Sequence, residues 1–206
     1  MSLINSNNFI FIHIYKCGGM TLRKILDDNL HPIEIGQSHF TAKETKEYCY
    51  NKGGKFFYDT AFKFAIVRNP FDWVVSLYEF IRGNESHENY EEIKDMDFEA
   101  FCQWNVDSIN SKKQNINGKL NTLTEFLYDE NRELLVDFVG RMETYDSDVH
   151  TILKRLNVSS KVLAMDIPKI NISERKPDYR DYYNDESRKI IEEGFAEDLK
   201  NFNYQF

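Results

Sequence analysis

Hydrophobic residues are arranged along the chain as short β-branched and aromatic runs followed by longer segments with helical periodicity. Residues 9–15, FIFIHIY, and residues 62–67, FKFAIV, have the composition of buried strands. Each run ends in a polar turn, and a segment with apolar residues at helical spacing follows directly. Residues 134–139 predict a third strand. This order predicts an α/β fold with three α/β/α layers, in which helices cover both faces of a central, mostly parallel sheet.

The helices are predicted from apolar spacing and from residues that cap helix ends. Residues 22–30 carry the first apolar stripe, and Thr41 with Glu44 has the form of a capping box that starts the second helix. Asn69 and Pro70 fit the N-cap and the first position of the helix after the second strand. The remaining helical faces carry Phe98, Phe101 and Trp104 in a short helix, then Val149, Ile152, Leu153 and Leu156, and finally Ile190, Ile191, Phe195, Leu199 and Phe202.

The length and the polar stretches predict the domain organisation. At 206 residues, the chain has the size of one compact domain, so residues 1–206 are expected to form a single one. The stretches near residues 83–95 and 107–121 are polar and lack a period, which predicts loops. With 41% hydrophobic residues and only four prolines, the composition excludes a disordered or a collagen-like chain.

The net charge limits the classes of binding partner, and the cysteine content indicates the cellular compartment. The 26 basic and 34 acidic residues give a net charge of −8, which disfavours binding to nucleic acid or an anionic membrane through bulk charge. The three cysteines are far apart and fit neither a CxxC metal knuckle nor a disulfide framework. The N-terminal segment lacks a basic region, and its apolar run is interrupted by His13, which we interpret as a core residue. We therefore expect a cytoplasmic protein without a transmembrane segment.

The turn at residues 16–21, KCGGMT, contains the groups that an anion site requires. Gly18 and Gly19 allow the backbone to curl, so that successive N–H groups and the N-terminus of the next helix can face one anion. Lys16 adds a positive charge and Thr21 a hydroxyl. The same residues also fit an ordinary turn between a strand and a helix. The nucleotide triphosphate P-loop is excluded, because its lysine stands near the end of the motif and here the lysine comes first.

A cysteine phosphatase is an alternative reading of the same turn. Cys17 and Arg23 have the C-x5-R spacing of such a loop, directly after a strand and at a helix N-terminus, which favours a thiolate. The mechanism also needs an acid for the leaving oxygen, commonly an Asp beside a Pro, and the sequence contains no Asp-Pro step. The phosphatase stays open as an alternative on these residues.

Four stretches, in order, resemble the sulfotransferases that use 3′-phosphoadenosine 5′-phosphosulfate (PAPS), especially the carbohydrate-modifying branch. Residues 9–26 resemble its 5′-phosphosulfate loop, and residues 64–80 resemble its 3′-phosphate strand and helix. Residues 38–41, SHFT, are similar to the segment with the catalytic histidine, and residues 136–158 with 171–206 resemble the C-terminal third. The resemblance implies a P-loop-nucleotide-hydrolase-like sulfotransferase fold. It implies in-line transfer of the sulfuryl group to a hydroxyl of a glycan or another alcohol, with release of 3′-phosphoadenosine 5′-phosphate (PAP).

The resemblance also implies a role for each matched residue. Lys16 would stabilise the bridging oxygen that leaves, and His39 would be the general base for the acceptor hydroxyl. Arg68 and Ser76 would bind the 3′-phosphate, since a planar guanidinium offers paired charge-assisted hydrogen bonds. The implied donor-binding residues are Lys16, Cys17, Gly18, Gly19, Met20, Thr21, Leu22, Arg68, Ser76, Ser173 and Arg175. No metal is expected, because the sulfuryl group carries one negative charge that fixed donors can stabilise.

The acceptor is the least constrained part of the prediction. A net charge of −8 argues against a polyanionic chain, so we expect a neutral sugar, a glycolipid or a small alcohol. Tyr179, Tyr182 and Tyr183 are candidates for the acceptor walls or else core residues. Tyr15 and Met20 depart from the family pattern, which often has Pro and Thr or Ser at these positions. A protein that binds nucleotide or glycan without turnover is a further alternative.

Overall fold

The structure, a computed structural model, describes residues 2–5, 8–35, 39–112, 114–115, 118–168 and 175–206. The chain divides into two compact units. The first comprises Met1–Val67 and Glu125–Asn171, and the second comprises Arg68–Thr124 and Ile172–Phe206. Each unit is described by itself. Within the described ranges, no helix is both long and apolar enough to cross a membrane.

A five-stranded sheet forms the centre of the first unit. The strands of the chain are β1 (Ser2–Asn5), β2 (Phe9–Ile12), β3 (Ile33–Ile35), β4 (Phe62–Val67), β5 (Gln114–Asn115), β6 (Gly118–Lys119) and β7 (Phe138–Arg141). The order across the large sheet is β3, β1, β2, β4, β7, and β5 pairs with β6 elsewhere. Strands β2, β4 and β7 run parallel, whereas β1 is antiparallel to both β2 and β3. The α/β prediction is confirmed by the parallel strands and the helices that flank them.

Helices connect and follow these strands in the predicted alternation. They are α1 (Gly19–Leu30), α2 (Ala42–Asn51), α3 (Lys55–Thr60), α4 (Pro70–Arg82), α5 (Tyr90–Ile93), α6 (Phe98–Asn110), α7 (Leu123–Leu127), α8 (Tyr145–Arg155), α9 (Ser160–Leu163), α10 (Asp185–Gly194) and α11 (Ala196–Asn201). Short 3₁₀ turns lie at Met142–Thr144 and Tyr179–Tyr182. The predicted caps are present: the Thr41 hydroxyl accepts from the Glu44 N–H, and Asn69 caps α4 through the Phe71 N–H.

Several predicted boundaries were wrong. The third strand is β7 rather than residues 134–139, because residues 134 and 135 pair back with residues 127 and 128. The loop predicted at 107–121 begins later, since α6 continues to Asn110 and buries Ile109. The loop predicted at 83–95 contains the short helix α5, and the final helix is divided at Phe195 into α10 and α11.

The core of the first unit holds the turn that follows β2. All four residues of β2 are buried, as expected for a parallel strand that is covered on both faces. The rings of Phe11 and Phe64 stack across β2 and β4 with centroids 5.4 Å apart. Because β2 is fixed on both sides by pairing and on both faces by burial, the start of the next turn is fixed as well.

In the second unit, the core lies between α4 and the C-terminal segment. The indole of Trp73 meets the ring of Phe195 edge to face, with centroids 5.8 Å apart. The hydroxyl of Tyr183 donates a hydrogen bond to the carbonyl of Phe71 at 2.8 Å. These contacts order the first turn of α4, which begins two residues after Arg68.

Candidate functional site

The first turn connects the carboxyl end of β2 to the N-terminus of α1. Its backbone is unusual, because Lys16 and Gly18 both lie in the left-handed region, with φ of 59° and 70°. For Lys16 this conformation costs about 1–2 kcal/mol relative to the ordinary regions. Gly18 is the N-cap of α1, so the first N–H groups of the helix follow it directly. Such local strain is typical of functional sites.

Position 19 has no space for a side chain, because the imidazole of His13 lies against it. A Cβ atom at Gly19 would lie 2.0 Å from His13 Cδ2 and 2.1 Å from Nε2. His13 is only 7% exposed, and burial lowers the pKa of its imidazole well below the ordinary value. The ring is therefore neutral at pH 7 and acts as a packing group that supports the turn.

Position 18 has no space for a side chain, because two side chains from the segment after β7 lie against it. A Cβ atom at Gly18 would lie 2.6 Å from Met142 Sδ and 2.7 Å from Tyr145 Cε2. The Tyr145 hydroxyl donates a hydrogen bond to the Gly18 carbonyl at 2.7 Å. Burial raises the pKa of Tyr145 and outweighs the opposing effect of Leu22 and Thr21 beside the phenol oxygen. Sequence reasoning assigned no role to Met142 or Tyr145, although both lie in the stretch 136–158 that resembles the family.

The other residues of the predicted donor turn differ in exposure. Cys17, Thr21 and Leu22 are buried, so Cys17 and Leu22 contribute side chains to the core. Met20 is 48% exposed, although it stands at the second position of α1. Lys16 is half-buried. Within this turn, backbone groups and Lys16 are thus the candidates for contact with an anion.

The geometry of Cys17 and Arg23 does not favour the phosphatase alternative. Arg23 pairs with Asp27, at 3.4 Å between Nε and Oδ2, and with Glu34. Cys17 is only 1% exposed. A phosphatase of this kind needs an accessible thiolate and an arginine that faces the phosphate. Here the arginine is engaged by two carboxylates and the thiol is covered.

His39 is held beside the turn by a backbone hydrogen bond. Its Nδ1 lies 2.9 Å from the His13 carbonyl oxygen. Because a carbonyl only accepts, Nδ1 carries the proton and Nε2 is the basic nitrogen. The ring also meets that of Tyr15 edge to face, with centroids 5.5 Å apart. Burial lowers the pKa of His39 to about 4, although the hydrogen bond to His13 opposes the shift, so the ring is neutral at pH 7.

In the second unit, the Asp72 carboxylate forms ion pairs with two arginines. Arg68 Nε donates to Asp72 Oδ2 at 2.7 Å, and the Arg175 guanidinium donates to Asp72 Oδ1 at 2.5 Å. Burial alone would raise the pKa of Asp72, but the two guanidinium groups outweigh it and lower that pKa. Ser76 lies one helical turn after Asp72 and is buried. The structure thus brings Arg68 and Arg175 together, while the predicted Ser173 lies outside the described residues.

The tyrosines considered for the acceptor walls make aromatic contacts within the second unit. Tyr179 and Tyr183 surround Phe71 and Phe206, and the ring centroids of Phe71 and Phe206 are 4.9 Å apart. The ring of Tyr182 packs against that of Phe98, with centroids 5.5 Å apart. All three side chains are half-buried, so each packs on one side and is exposed on another, and their role as acceptor walls stays a prediction.

One family model matches almost the whole sequence. It is described as the sulfotransferase family, and it matches residues 3–205. No curated protein and no solved structure matches the chain. The matched range includes both turns and the C-terminal third, so it covers far more than the two short motifs.

Proposed function

Because the chain belongs to the sulfotransferase family, we propose that it transfers the sulfuryl group of PAPS to a hydroxyl of a glycan or another alcohol, with residues 1–206 as one catalytic domain. The observation that carries the proposal is the first turn, where Lys16 and two glycines join β2 to the N-terminus of α1. Backbone N–H groups of residues 18–21 bind the 5′-phosphate in this proposal, because the first turn of a helix has unpaired donors. The N–H of Leu22, which the resemblance also implied, donates to the Gly18 carbonyl within α1.

The chemical step is an in-line displacement at sulfur. The acceptor oxygen forms a bond to sulfur while the bond from sulfur to the bridging oxygen breaks, and PAP leaves. Negative charge grows on the bridging oxygen, where the Lys16 ammonium stabilises it. The acceptor proton passes to Nε2 of His39, the nitrogen that the hydrogen bond to His13 leaves basic.

The scheme uses no metal, since a sulfuryl group carries one negative charge and fixed donors can stabilise it. In the described part of the chain, no three His, Cys, Asp or Glu side chains form a group that could hold a metal ion. The metal-free mechanism stays a prediction that activity in the presence of a chelator tests.

The proposed acceptor is a neutral sugar, a glycolipid or a small alcohol. The net charge of −8 repels polyanionic chains over distances of about a Debye length, roughly 8 Å at physiological salt. A panel of neutral and anionic glycans, incubated with labelled PAPS, identifies the acceptor class by label transfer.

His39→Asn should abolish most of this label transfer without loss of PAP binding. Asparagine tolerates the positive φ of 59° at this position and can still donate to the His13 carbonyl, but it offers no basic nitrogen. We expect kcat to fall by about 10²–10⁴. Because the pKa of His39 is about 4, wild-type kcat/KM should stay level from about pH 8 to pH 5 and decrease as the pH approaches 4.

The matched control is His31→Asn. His31 is also left-handed, with φ of 48°, and lies exposed at the other end of α1. Its replacement should leave the rate unchanged. Full activity of His39→Asn would remove His39 from the mechanism, and an acid limb near pH 6.5 would contradict the low pKa.

Arg68→Ala should abolish the thermal stabilisation that PAP confers. Arg68 is proposed to bind the 3′-phosphate, and a lost charge-assisted contact weakens binding by about 30-fold or more. Arg68→Lys keeps a positive charge near Asp72 but lacks the fork, so it should recover only part of the affinity. The measurement is the melting temperature against PAP concentration.

Arg82→Ala is the control in the same helix, since Arg82 is exposed and donates to the Lys94 carbonyl. It should bind PAP like the wild type. If Arg68→Ala is stabilised by PAP as strongly as the wild type, the 3′-phosphate assignment is wrong. If PAP does not stabilise the wild type, the transferase and the non-catalytic nucleotide binder are both excluded.

A further inference from the structure

Tyr145 contacts the first turn from a distant part of the sequence. It is the first residue of α8, and its hydroxyl donates to the Gly18 carbonyl at 2.7 Å across 127 residues of sequence. Its ring lies so close to Gly18 that a Cβ atom there would be 2.7 Å from Cε2. Strand β7, which precedes this segment, is paired in parallel with β4, with Arg141 opposite Val67. The pairing of β7 with β4 therefore places the start of α8, and with it Tyr145, beside the turn.

The hydrogen bond acts on the peptide that joins Gly18 to Gly19. Within α1, the Gly18 carbonyl oxygen accepts from the Leu22 nitrogen at 3.4 Å, which is long for such a hydrogen bond. The Tyr145 hydroxyl oxygen is the closer donor, at 2.7 Å. A peptide unit is planar and trans, so its carbonyl and its N–H point in opposite directions. A contact that fixes the direction of the Gly18 carbonyl therefore fixes the direction of the Gly19 N–H as well.

We propose that Tyr145 is a positioning residue, which aims the Gly19 N–H at the 5′-phosphate of the donor by holding the Gly18 carbonyl. This inference rests on the proposed function. Glycine at both positions makes such a clamp useful, because a Gly-Gly peptide otherwise has more accessible orientations than any other. The clamp removes that freedom before the donor arrives, and preorganisation of this kind improves affinity.

Tyr145→Phe tests the clamp, because it removes the hydroxyl and keeps the ring against Gly18. The two ligands are PAP and adenosine 3′-monophosphate, which lacks the 5′-phosphate. We expect Tyr145→Phe to bind PAP about fivefold to tenfold more weakly and adenosine 3′-monophosphate as tightly as the wild type does. Calorimetric titration measures both affinities, and KM for PAPS should increase while KM for the acceptor stays constant.

Tyr78→Phe is the matched control. The Tyr78 hydroxyl donates to the Met96 carbonyl at 2.8 Å, so this variant also loses one bond from a phenol to a carbonyl, but in the second unit. It should bind both ligands like the wild type. Met142→Leu, which alters the other side chain against Gly18 without touching the hydrogen bond, should retain the preference for PAP.

The outcomes separate the clamp from the proposed function. A wild type that binds PAP no more tightly than adenosine 3′-monophosphate overturns both. A wild type that prefers PAP, together with a Tyr145→Phe variant that keeps the same preference, overturns the clamp alone. Equal weakening of both ligands in Tyr145→Phe assigns Tyr145 a purely structural role and also overturns the clamp.

Discussion

Replacement of Lys16 by methionine is expected to lower kcat for sulfuryl transfer by about 10²–10³, while PAP binding weakens by less than about tenfold. The reason is that the ammonium is proposed to meet charge that develops on the bridging oxygen only as the bond to sulfur breaks. Methionine keeps much of the length of the aliphatic chain at a position where Lys16 is half-buried. The measurement is single-turnover label transfer at saturating PAPS, together with PAP titration.

Lys24→Met is the control for this experiment. Lys24 lies on the exposed surface of α1 and pairs with Asp28 at 3.1 Å. Exposed pairs of this kind contribute about 0–1 kcal/mol, so neither rate nor stability should change noticeably. If Lys16→Met transfers sulfate at the wild-type rate, the assignment of Lys16 to the leaving oxygen is wrong. If it loses PAP binding and rate equally, Lys16 serves ground-state binding instead.

Gly19→Ala is expected to destabilise the protein by about 2–3 kcal/mol, which corresponds to about 5–10 °C in melting temperature for a chain of this size. The added methyl group would overlap the His13 ring, since the distance from Cβ to Cδ2 would be 2.0 Å. Alanine is the better helix former, which offsets about 1 kcal/mol of this cost. Because the overlap displaces either the turn or His13, label transfer should fall as well.

A second substitution shows whether the overlap with His13 is the cause. His13→Ala removes the ring, so the double variant Gly19→Ala/His13→Ala should melt higher than the sum of the two single effects predicts. Additive losses in the double variant would show that the destabilisation has another origin. Thermal melting of the four proteins completes the cycle.

Local features of the fold followed from the sequence because they depend on neighbouring residues. The strand at Phe62–Val67, the capping box at Thr41 and the cap at Asn69 were each predicted from a few adjacent residues. In contrast, the antiparallel strands β1 and β3 were missed. They are only four and three residues long, and their pairing is decided by partners that lie elsewhere in the sequence.

The candidate site shows the same division. Residues 16–21 and Arg68 were found from turn composition and family resemblance, since they are contiguous motifs. Tyr145 was not, because its partner Gly18 lies 127 residues away in sequence. Asp72 was also missed: its pair with Arg68 is local, but its second partner, Arg175, lies 103 residues away. Nothing in the local pattern distinguishes an aspartate in the first turn of a helix from an ordinary dipole-stabilising one.

The sequence by itself determined which residues can bind an anion or accept a proton, because residue type sets charge, donor number and ordinary pKa. Only the tertiary structure decided the pKa, the tautomer and the hydrogen-bond partners of these residues. It buried His39 so that its pKa fell to about 4, and it placed the His13 carbonyl so that Nδ1 carries the proton and Nε2 does not. It also brought the Tyr145 hydroxyl to the Gly18 carbonyl. Desolvation and long-range hydrogen bonds depend on what surrounds a residue in space, which no local stretch of sequence specifies.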